Sequence, residues 1–235
     1  MEDYAVNEGK KAVIEVGGGK YIRIPIKTHL ITEKDDIIEV AKKYGLPVLS
    51  EPDDVLFISE KCVACTQGRA IPIDEIKPRK LAYFLSRFVT KTPAGIGLGM
   101  PETMEYALRE CGTPRILFAA GVSAVGKVFK RKGWFYTVAG YKAQSIDGPT
   151  PNTIPPYNKC VVLGPLEPDK VAKDISDAIG YRTIIVDIND LDGNILGAPD
   201  SSIDRDLYAA ILKDNPLGQD CESTPMGVIR SVASE

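Results

Sequence analysis

The residues best suited to chemistry follow an apolar, β-branched run at residues 182–186 (RTIIV), which predicts a buried strand. Directly after this run comes a cluster of acidic and amide side chains: Asp187, Asn189, Asp190 and Asp192. Carboxylates at the carboxyl end of a buried strand suit a hard divalent cation, because the strand fixes the first ligand. A solvated acidic turn explains the same residues equally well. A calcium loop of the EF-hand type does not, since Ile188 and Pro199 would take the positions where its first and last carboxylates belong.

Histidine and cysteine chemistry has little support in this sequence. His29 is the only histidine, which excludes mechanisms that need two imidazoles. Cys62 and Cys65 form a CxxC pair, but the apolar run 55–64 predicts a strand, on which residues three apart point to opposite faces. We therefore expect two separate thiols there, and neither a zinc site nor a redox pair. The other cysteines supply no second pair, and five in all form no disulfide framework for a chain of this size: Cys111, Cys160 and Cys221.

Residues 121–127 (GVSAVGK) almost match the phosphate-binding loop GxxxxGK[ST]. The match fails at Val128, where the loop needs a hydroxyl group for Mg²⁺. Alternating apolar and polar residues instead predict a β-hairpin here, with strands at 125–130 and 134–139 joined by a turn at 131–133.

The elements that must position the candidate residues are both strands and helices. Strands are predicted at 11–16 and 21–26, joined by a glycine turn, and at 55–64, 160–163, 182–187 and 226–232. Helices are predicted at 34–44, 78–89, 101–111, 168–179 and from the cap Ser202 to residue 213. In the second helix the stripe Leu81, Phe84, Leu85 and Phe88 is expected to face the core. The order of strand 160–163, helix 168–179 and strand 182–187 favours a parallel crossover.

Composition limits the classes of protein that the chain can belong to. With 44% hydrophobic residues, 26% charged residues and a net charge of −3, it is typical of a globular protein and predicts no attraction to nucleic acid or to a membrane. Apolar stretches such as 115–125 are shorter than the ~20 residues of a membrane-spanning helix. The chain opens with acidic residues where a secretory signal carries positive charge. We therefore expect a cytoplasmic protein whose catalysis uses a carboxylate-held metal.

Several segments, taken in order, resemble the coenzyme F-420 gamma-glutamyl ligase family. They cover most of the chain: THLI at 28–31, KDDIIEVAKKY at 34–44, DDVLFISEKCVACTQGR at 53–69, PETMEYALREC at 101–111, SIDGPTPN at 145–152, GPLEPD at 164–169, IIVDIND at 184–190 and PLGQDCESTP at 216–225. The resemblance implies an α+β fold with mixed sheets and helices. It also implies one ligase-like unit over residues 1–235, with two subdomains at about 1–145 and 146–235, and a homodimer.

The resemblance also implies which residues form the site. The ligands of a divalent metal, Mg²⁺ or Mn²⁺, would be Asp147 and Asp187, and these two with Lys61 would form the catalytic set. The residues implied to contact the nucleotide, GTP in the family, are His29, Leu30, Ile31, Glu60, Lys61, Thr150, Asn152 and Gln219. We expect the carboxylates of Asp147 and Asp187 to lie within roughly 5 Å of each other, since one ion with ligand distances of about 2.0–2.6 Å would contact both.

The implied activity is that of a metal- and nucleotide-dependent ligase, which joins an amino acid such as L-glutamate to a carboxylated small-molecule acceptor. Four departures leave a second function open, and in one of them Thr150 or Asn152 must stand for an asparagine of the family. Cys65 stands where the family carries a phosphate-facing lysine, Ile188 replaces a hydroxyl residue, and residues 193–197 shorten an arginine-rich stretch. Because a triphosphate is usually neutralised by metal together with Lys or Arg, these changes also fit a non-catalytic protein that keeps the fold and binds a metabolite or a partner chain.

Overall fold

The computed structural model of the chain describes residues 6–89, 97–129, 133–151, 153–189, 193–218 and 221–232. In chain order the strands are β1 (Val13–Val16), β2 (Gly19–Ile26), β3 (Val55–Ser59), β4 (Ala70–Pro72), β5 (Cys160–Val162), β6 (Arg182–Ile188), β7 (Gly193–Gly197) and β8 (Met226–Val232). The α-helices are α1 (Ile37–Val40), α2 (Glu60–Thr66), α3 (Lys80–Ser86), α4 (Pro101–Glu110), α5 (Thr113–Val128), α6 (Trp134–Ala139), α7 (Tyr141–Gln144), α8 (Pro168–Ile179) and α9 (Arg205–Leu212). A π-helical turn, Ala41–Gly45, continues α1, and short 3-10 helices occur at Ile73–Glu75 and Tyr157–Lys159.

The chain divides into two compact units, and the second is inserted into the first. The first unit combines Met1–Gly68 with Pro165–Glu235, and the second is the continuous segment Arg69–Gly164. The boundaries of these compact units follow residues 68 and 164. The single ligase-like unit with subdomains at about 1–145 and 146–235, which the resemblance implies, stays a prediction. Residues 146–164 belong with the preceding helices because Asp147 and Val162 exchange backbone hydrogen bonds of 2.8 and 3.0 Å inside the second unit.

The first unit contains a six-stranded sheet in the order β1-β2-β8-β3-β6-β7. β3 and β6 pair in parallel, and the other neighbouring strands pair in antiparallel fashion. β3 is buried on both faces: Leu56 and Ile58 join one hydrophobic core, whereas Val55 and Phe57 join the other. This alternation follows from the two-residue period of a strand, and it explains why the segment VLFIS is entirely apolar up to its last residue.

The second unit contains the two-stranded antiparallel sheet β4-β5 and the helices α3 to α7. Its hydrophobic core consists wholly of its own residues, from Ile76 on one side of α3 to Leu163 after β5. The α+β class that the resemblance implied is confirmed, with mixed strand directions in one sheet and helices in both units.

The predicted strand 55–64 is wrong in its second half, because the strand ends at Ser59 and α2 begins at Glu60. A continuous apolar run has no period by which a strand can be told from a buried helix, and Cys62 to Cys65 are buried on α2. The two cysteines are therefore neighbours on a helix, three residues apart, and do not lie on opposite faces of a strand. Neither forms a disulfide, and burial together with the charge of Cys65 raises the pKa of Cys62.

The predicted hairpin over 125–139 is also wrong, since α5 and α6 occupy its described residues; residues 130–132 of its turn lie outside the described ranges. The phosphate-loop match at 121–127 lies inside α5, so this backbone forms helical hydrogen bonds and does not form a loop.

For other helices, the observed ends differ from the predicted ends by only a few residues. The helix predicted at 34–44 begins at Ile37, where Asp36 caps it, and its second half is the π-helical turn. The helix predicted at 78–89 spans Lys80–Ser86. Its expected core stripe is only half correct, since Leu85 is buried but Phe84 and Phe88 are exposed. Asp204 rather than Ser202 caps α9.

The predicted crossover between strands 160–163 and 182–187 does not occur. β5 pairs with β4 in the second unit, and the parallel partner of β6 is β3. The hairpin β1-β2 and the last strand β8 agree with the predicted segments. Among the described residues, no helix combines the length and the apolar character needed to cross a bilayer.

Candidate functional site

Four of the segments that carry the family resemblance meet at one edge of the six-stranded sheet. β2 and β3 both end opposite Met226, the first residue of β8, since Ile26 and Ile58 are its register partners. β6 runs parallel to β3, with Val186 opposite Ser59. The chain that follows β2, β3 and β6 and the chain that precedes β8 therefore lie side by side.

Backbone hydrogen bonds fix this arrangement. The N–H of Thr28 donates to the carbonyl of Ser223 at 2.9 Å, and the N–H of Ser59 donates to the carbonyl of Pro225 at 2.9 Å. These bonds join the THLI segment and the end of β3 to the segment before β8. Gln219 belongs to that segment, but it lies outside the described residues.

Glu60 and Lys61 stand at the junction of β3 and α2. The Glu60 side chain is only 3% exposed, and the Lys61 ammonium lies 2.7 Å from its Oε1, with 30% of the Lys61 side chain exposed. A buried carboxylate needs such a partner, because an uncompensated charge is costly in the protein interior. Lys61 therefore forms an ion pair with the glutamate next to it in the sequence. The Lys61 side chain stays partly exposed to solvent in this pair.

His29 is held by two protein groups. Its Nε2 lies 2.9 Å from Oδ1 of Asp35, and its Nδ1 lies 2.8 Å from the hydroxyl of Tyr44. The hydrogen bond from His29 lowers the pKa of Asp35, and further bonds from the N–H and hydroxyl of Thr32 lower it more. Since an ionised carboxylate only accepts, Nε2 must carry a proton. Both ring nitrogens of His29 thus form hydrogen bonds within the protein. A ligand can contact the ring without breaking one of these bonds only at its faces and its carbon edges.

Asp35 and Tyr44 were not among the residues that the sequence singled out. Asp36 caps α1, and the side chain of the adjacent Asp35 contacts His29. Two acidic residues before a helix, of which only one can be the cap, are the sequence signal that could have indicated this contact. Leu30 is exposed and Ile31 is buried in the core beside them, so the latter acts there as a packing residue.

Asp187 lies near the end of β6, opposite Asn194 of β7, with Ile188 and Asn189 after it. Val186 pairs with Ser59, the last residue of β3, so Asp187 on β6 and Glu60 at the start of α2 are the residues that follow this pair. Residues 190–192 lie outside the described ranges. Within the ranges described, no group of three or more His, Cys, Asp and Glu side chains is arranged to hold a metal ion.

Asp147 lies in the second unit, where its backbone pairs with Val162. Tyr136 is close enough to respond to it: burial raises the pKa of the Tyr136 phenol, and the Asp147 charge raises it further. The hydroxyl of Thr150 lies 2.7 Å from that of Thr153. Asn152 lies outside the described residues. Asp147 and Asp187 belong to different units, so their expected approach to within one metal ion stays a prediction.

The fold and this sheet edge define a mixed α+β protein with polar and charged side chains at the ends of neighbouring strands, namely Glu60, Lys61 and Asp187. A family model described as F420-0:Gamma-glutamyl ligase matches residues 25–198, and the chain belongs to this family. Membership indicates a gamma-glutamyl ligase function for F-420. No curated protein matches the chain.

Proposed function

We propose that the protein is a metal- and nucleotide-dependent ligase that joins an amino acid, with L-glutamate as the first candidate, to a carboxylated acceptor. The observation that supports it most strongly is the meeting of the Thr28 segment, Glu60–Lys61, Asp187 and the segment before β8 at one sheet edge. These are the segments that the family resemblance assigns to nucleotide, phosphate and metal.

The proposed reaction has two steps. The terminal phosphoryl group of the nucleotide moves to the acceptor carboxylate, and the amine of the amino acid then displaces phosphate as the amide bond forms. Neither step needs a covalent protein nucleophile, so the protein contributes positions and charges. Lys61 and Gln219 are proposed to bind phosphate oxygens, while the loops at His29–Ile31 and Thr150–Asn152 hold the nucleotide.

The proposed metal is Mg²⁺ or Mn²⁺, bound by Asp147 and Asp187. The donor chemistry fits, because hard cations prefer carboxylate oxygens and Asp187 projects from a rigid strand end. When bound, such an ion neutralises phosphate charge. Glu60 is a poorer candidate ligand, since its carboxylate is buried and paired with Lys61.

Thermal melting of the full chain tests this proposal. GTP with Mn²⁺ at 100 times the dissociation constant should add about 2.7 kcal/mol to the free energy of unfolding. Asp187→Asn should abolish the ligand-induced rise in melting temperature. Asp177→Asn, which removes the same charge from an exposed position on α8, should leave it unchanged. An equal rise in wild type and Asp187→Asn would remove this carboxylate from the site.

The role of Lys61 is tested best by a variant that removes the buried Glu60 charge together with the Lys61 ammonium that it contacts. Glu60→Gln with Lys61→Ala removes both charges together, and we expect it to fold but to lose the nucleotide-dependent rise in melting temperature. Lys42→Ala is the matched control, because Lys42 forms an exposed pair with Glu39. A rise that persists in the double variant would favour a purely structural ion pair.

A second function rests on two observations. Cys65, at the position of the family's phosphate-facing lysine, is buried on α2, and β7 carries no basic residue where the family has arginines. A non-catalytic binding protein fits both. Phosphate release that requires nucleotide, glutamate and acceptor together supports the ligase, whereas ligand-induced stabilisation without any phosphate release supports the binding protein. The homodimer that the resemblance implies is a further proposal, which light scattering in solution tests.

A further inference from the structure

Two arginines of the second unit converge on one buried carboxylate. The Glu105 side chain of α4 is only 2% exposed, and its Oε1 accepts hydrogen bonds from Nε of Arg79 at 3.0 Å and from Nε of Arg109 at 2.8 Å. Its Oε2 accepts from the backbone N–H of Arg79 at 3.0 Å. Burial alone raises the pKa of Glu105, but these hydrogen bonds outweigh it and hold the pKa below its ordinary 4.5. The carboxylate is therefore ionised at neutral pH.

Both guanidinium groups stay accessible although their carboxylate partner is buried. The Arg79 side chain is 49% exposed and that of Arg109 is 48% exposed. Because their Nε atoms bond the same oxygen, these two atoms lie within about 6 Å of each other. In the described part of the chain, Glu105 is bonded only through the two Nε atoms and one backbone N–H. The Nη groups of both arginines are thus left for another acceptor.

The surroundings of this triad are rich in positive charge. Two guanidinium groups against one carboxylate leave a net charge of +1, and Lys77 and Lys80, which flank Arg79 in the sequence, are exposed. Neither lysine forms an ion pair with a described residue. The second unit as a whole contains 14 Lys and Arg against 6 Asp and Glu. Its field therefore attracts small anions.

Three other acidic residues are close to the triad in the sequence, but they do not pair with the arginines. Asp74 and Glu75 lie near Cys160: burial raises the pKa of the Cys160 thiol, and the charges of these two acids raise it further. Glu102 lies one turn before Glu105 on α4, and among the described residues it forms no ion pair. The second guanidinium charge of the triad is therefore not neutralised by direct contact with another described carboxylate.

We propose that Arg79 and Arg109 form a binding site for a phosphate-bearing anion, in which Glu105 holds both guanidinium groups in position. A phosphate group carries about −1.5 to −2 charges at neutral pH and offers three oxygens, enough for two arginines. A carboxylate carries one charge and two oxygens, which a single arginine can bind. The site contains none of the residues assigned to nucleotide, phosphate or metal at the sheet edge, so it goes beyond the proposed function.

The alternative is that the triad only joins the start of α3 to α4. One arginine is enough for that purpose, since Arg79 already provides both a backbone and a side-chain hydrogen bond to Glu105. Arg109 lies on the same helix as Glu105, four residues later, and its Cζ is 5.2 Å from the centre of the Tyr106 ring. Such pairs within one helix add little stability. Two cations held about 6 Å apart repel each other, and a bound anion relieves this repulsion.

Calorimetric titration of the full chain tests the proposal. The probes are inorganic phosphate and glycerol phosphate, and EDTA is present so that no divalent metal contributes to binding. We expect saturable binding of one anion per chain, and at least about tenfold weaker binding of the dicarboxylate glutarate. Tighter binding of one phosphate probe than of the other distinguishes free phosphate from a phosphate ester as the natural ligand.

The variant Arg79→Lys with Arg109→Lys separates anion binding from stability. It keeps both charges, and each ammonium can still pair with Glu105, but lysine has a single nitrogen and no Nη groups. The affinity for phosphate should fall by about tenfold or more, while the melting temperature without ligand stays close to that of wild type. Arg87→Lys is the matched control, because Arg87 is an exposed arginine at the end of α3, and it should bind as wild type. Should the double variant unfold, Arg109→Lys alone is expected to weaken binding as well.

Three results would overturn the proposal. The first is the absence of saturable binding for either phosphate probe. The second is equal phosphate affinity in wild type and in the lysine variants. The third is a loss of phosphate binding in the Glu60→Gln, Lys61→Ala protein together with its retention in the lysine variants, which would place the phosphate at the sheet edge and leave the proposed ligase function intact.

Discussion

At the residue scale, Asp54 and Arg230 show how a buried charge is kept in this fold. The Asp54 side chain is fully buried at the start of β3, and the Arg230 guanidinium of β8 contacts both carboxylate oxygens at 2.9 and 2.7 Å. The N–H groups of Ser50 and Glu51 donate to the same carboxylate. Burial alone raises the pKa of Asp54, but these hydrogen bonds outweigh it and hold the pKa below its ordinary 3.8.

We expect Asp54→Asn to lower the free energy of unfolding by about 3 kcal/mol at neutral pH, because it leaves the mostly buried Arg230 charge without its carboxylate. The measurement is urea unfolding of the purified chain. Asp53→Asn is the control, since this neighbouring carboxylate is 87% exposed and should change stability by less than about 0.5 kcal/mol.

The same pair has a pH dependence of known sign. A carboxyl whose folded pKa is depressed stabilises the fold above its unfolded pKa, and this contribution is lost as pH falls through the folded value. The difference between wild type and Asp54→Asn should therefore be largest above about pH 5 and should vanish below the depressed pKa, where the protonated acid resembles the amide. A difference that stays constant across this range would refute the assigned ionisation.

At the element scale, the helical state of residues 121–127 has a measurable consequence. A Cβ on Gly121 would have no neighbouring atom within 4 Å, and its backbone is that of an α-helix interior. We expect Gly121→Ala to raise the free energy of unfolding by about 0.5–1 kcal/mol, since alanine loses less conformational entropy in a helix. Calorimetry or circular dichroism melting measures this.

Gly227 provides the opposite case. A Cβ there would lie 2.6 Å from Cζ of Phe57 and 2.7 Å from the carbonyl oxygen of Ile24, so β8 passes between β2 and β3 without room for a side chain. Gly227→Ala should destabilise the protein by about 1–3 kcal/mol. If Gly121→Ala destabilised to a similar degree, the helix assignment for residues 121–127 would be wrong.

The elements also show which parts of the structure could be predicted from sequence. The β1-β2 hairpin was predictable because a glycine turn separates two alternating runs, and β8 was predictable from its apolar pattern and length. The end of β3 at Ser59 was not, because the apolar pattern continues through α2. The sheet edge that gathers Glu60 and Asp187 depends on the parallel pairing of β3 with β6, a long-range pairing that local pattern does not encode.

At the scale of the whole molecule, the second unit has the properties of a domain that folds alone. Its core contains only its own residues, and its ends are joined by hydrogen bonds of 3.0 Å from the Leu163 N–H to the Arg69 carbonyl and 2.6 Å from Arg69 Nε to the Gly164 carbonyl. Adjacent chain ends are characteristic of insertable domains.

We expect the segment Arg69–Gly164, expressed alone at micromolar concentration, to give a cooperative melting transition in circular dichroism. The complementary chain, with Gly68 joined to Pro165 through a short Gly-Ser linker, should also melt cooperatively, since both remaining cores lie within it. A gradual, non-cooperative loss of signal from the isolated segment would show that the two units fold only together.

Because the second unit is inserted after β3, the strands that pair with β3, namely β6 and β8, are synthesised long after β3 itself. Residues 55–59 leave the ribosome early, but β6 begins at Arg182 and β8 at Met226. At roughly 5–20 residues per second, the first partner follows on the order of ten seconds later. During that interval the uncharged segment VLFIS has both edges unpaired, which is the condition in which β-rich segments aggregate. Nascent chains that stop before residue 182 should therefore depend on chaperones for their solubility.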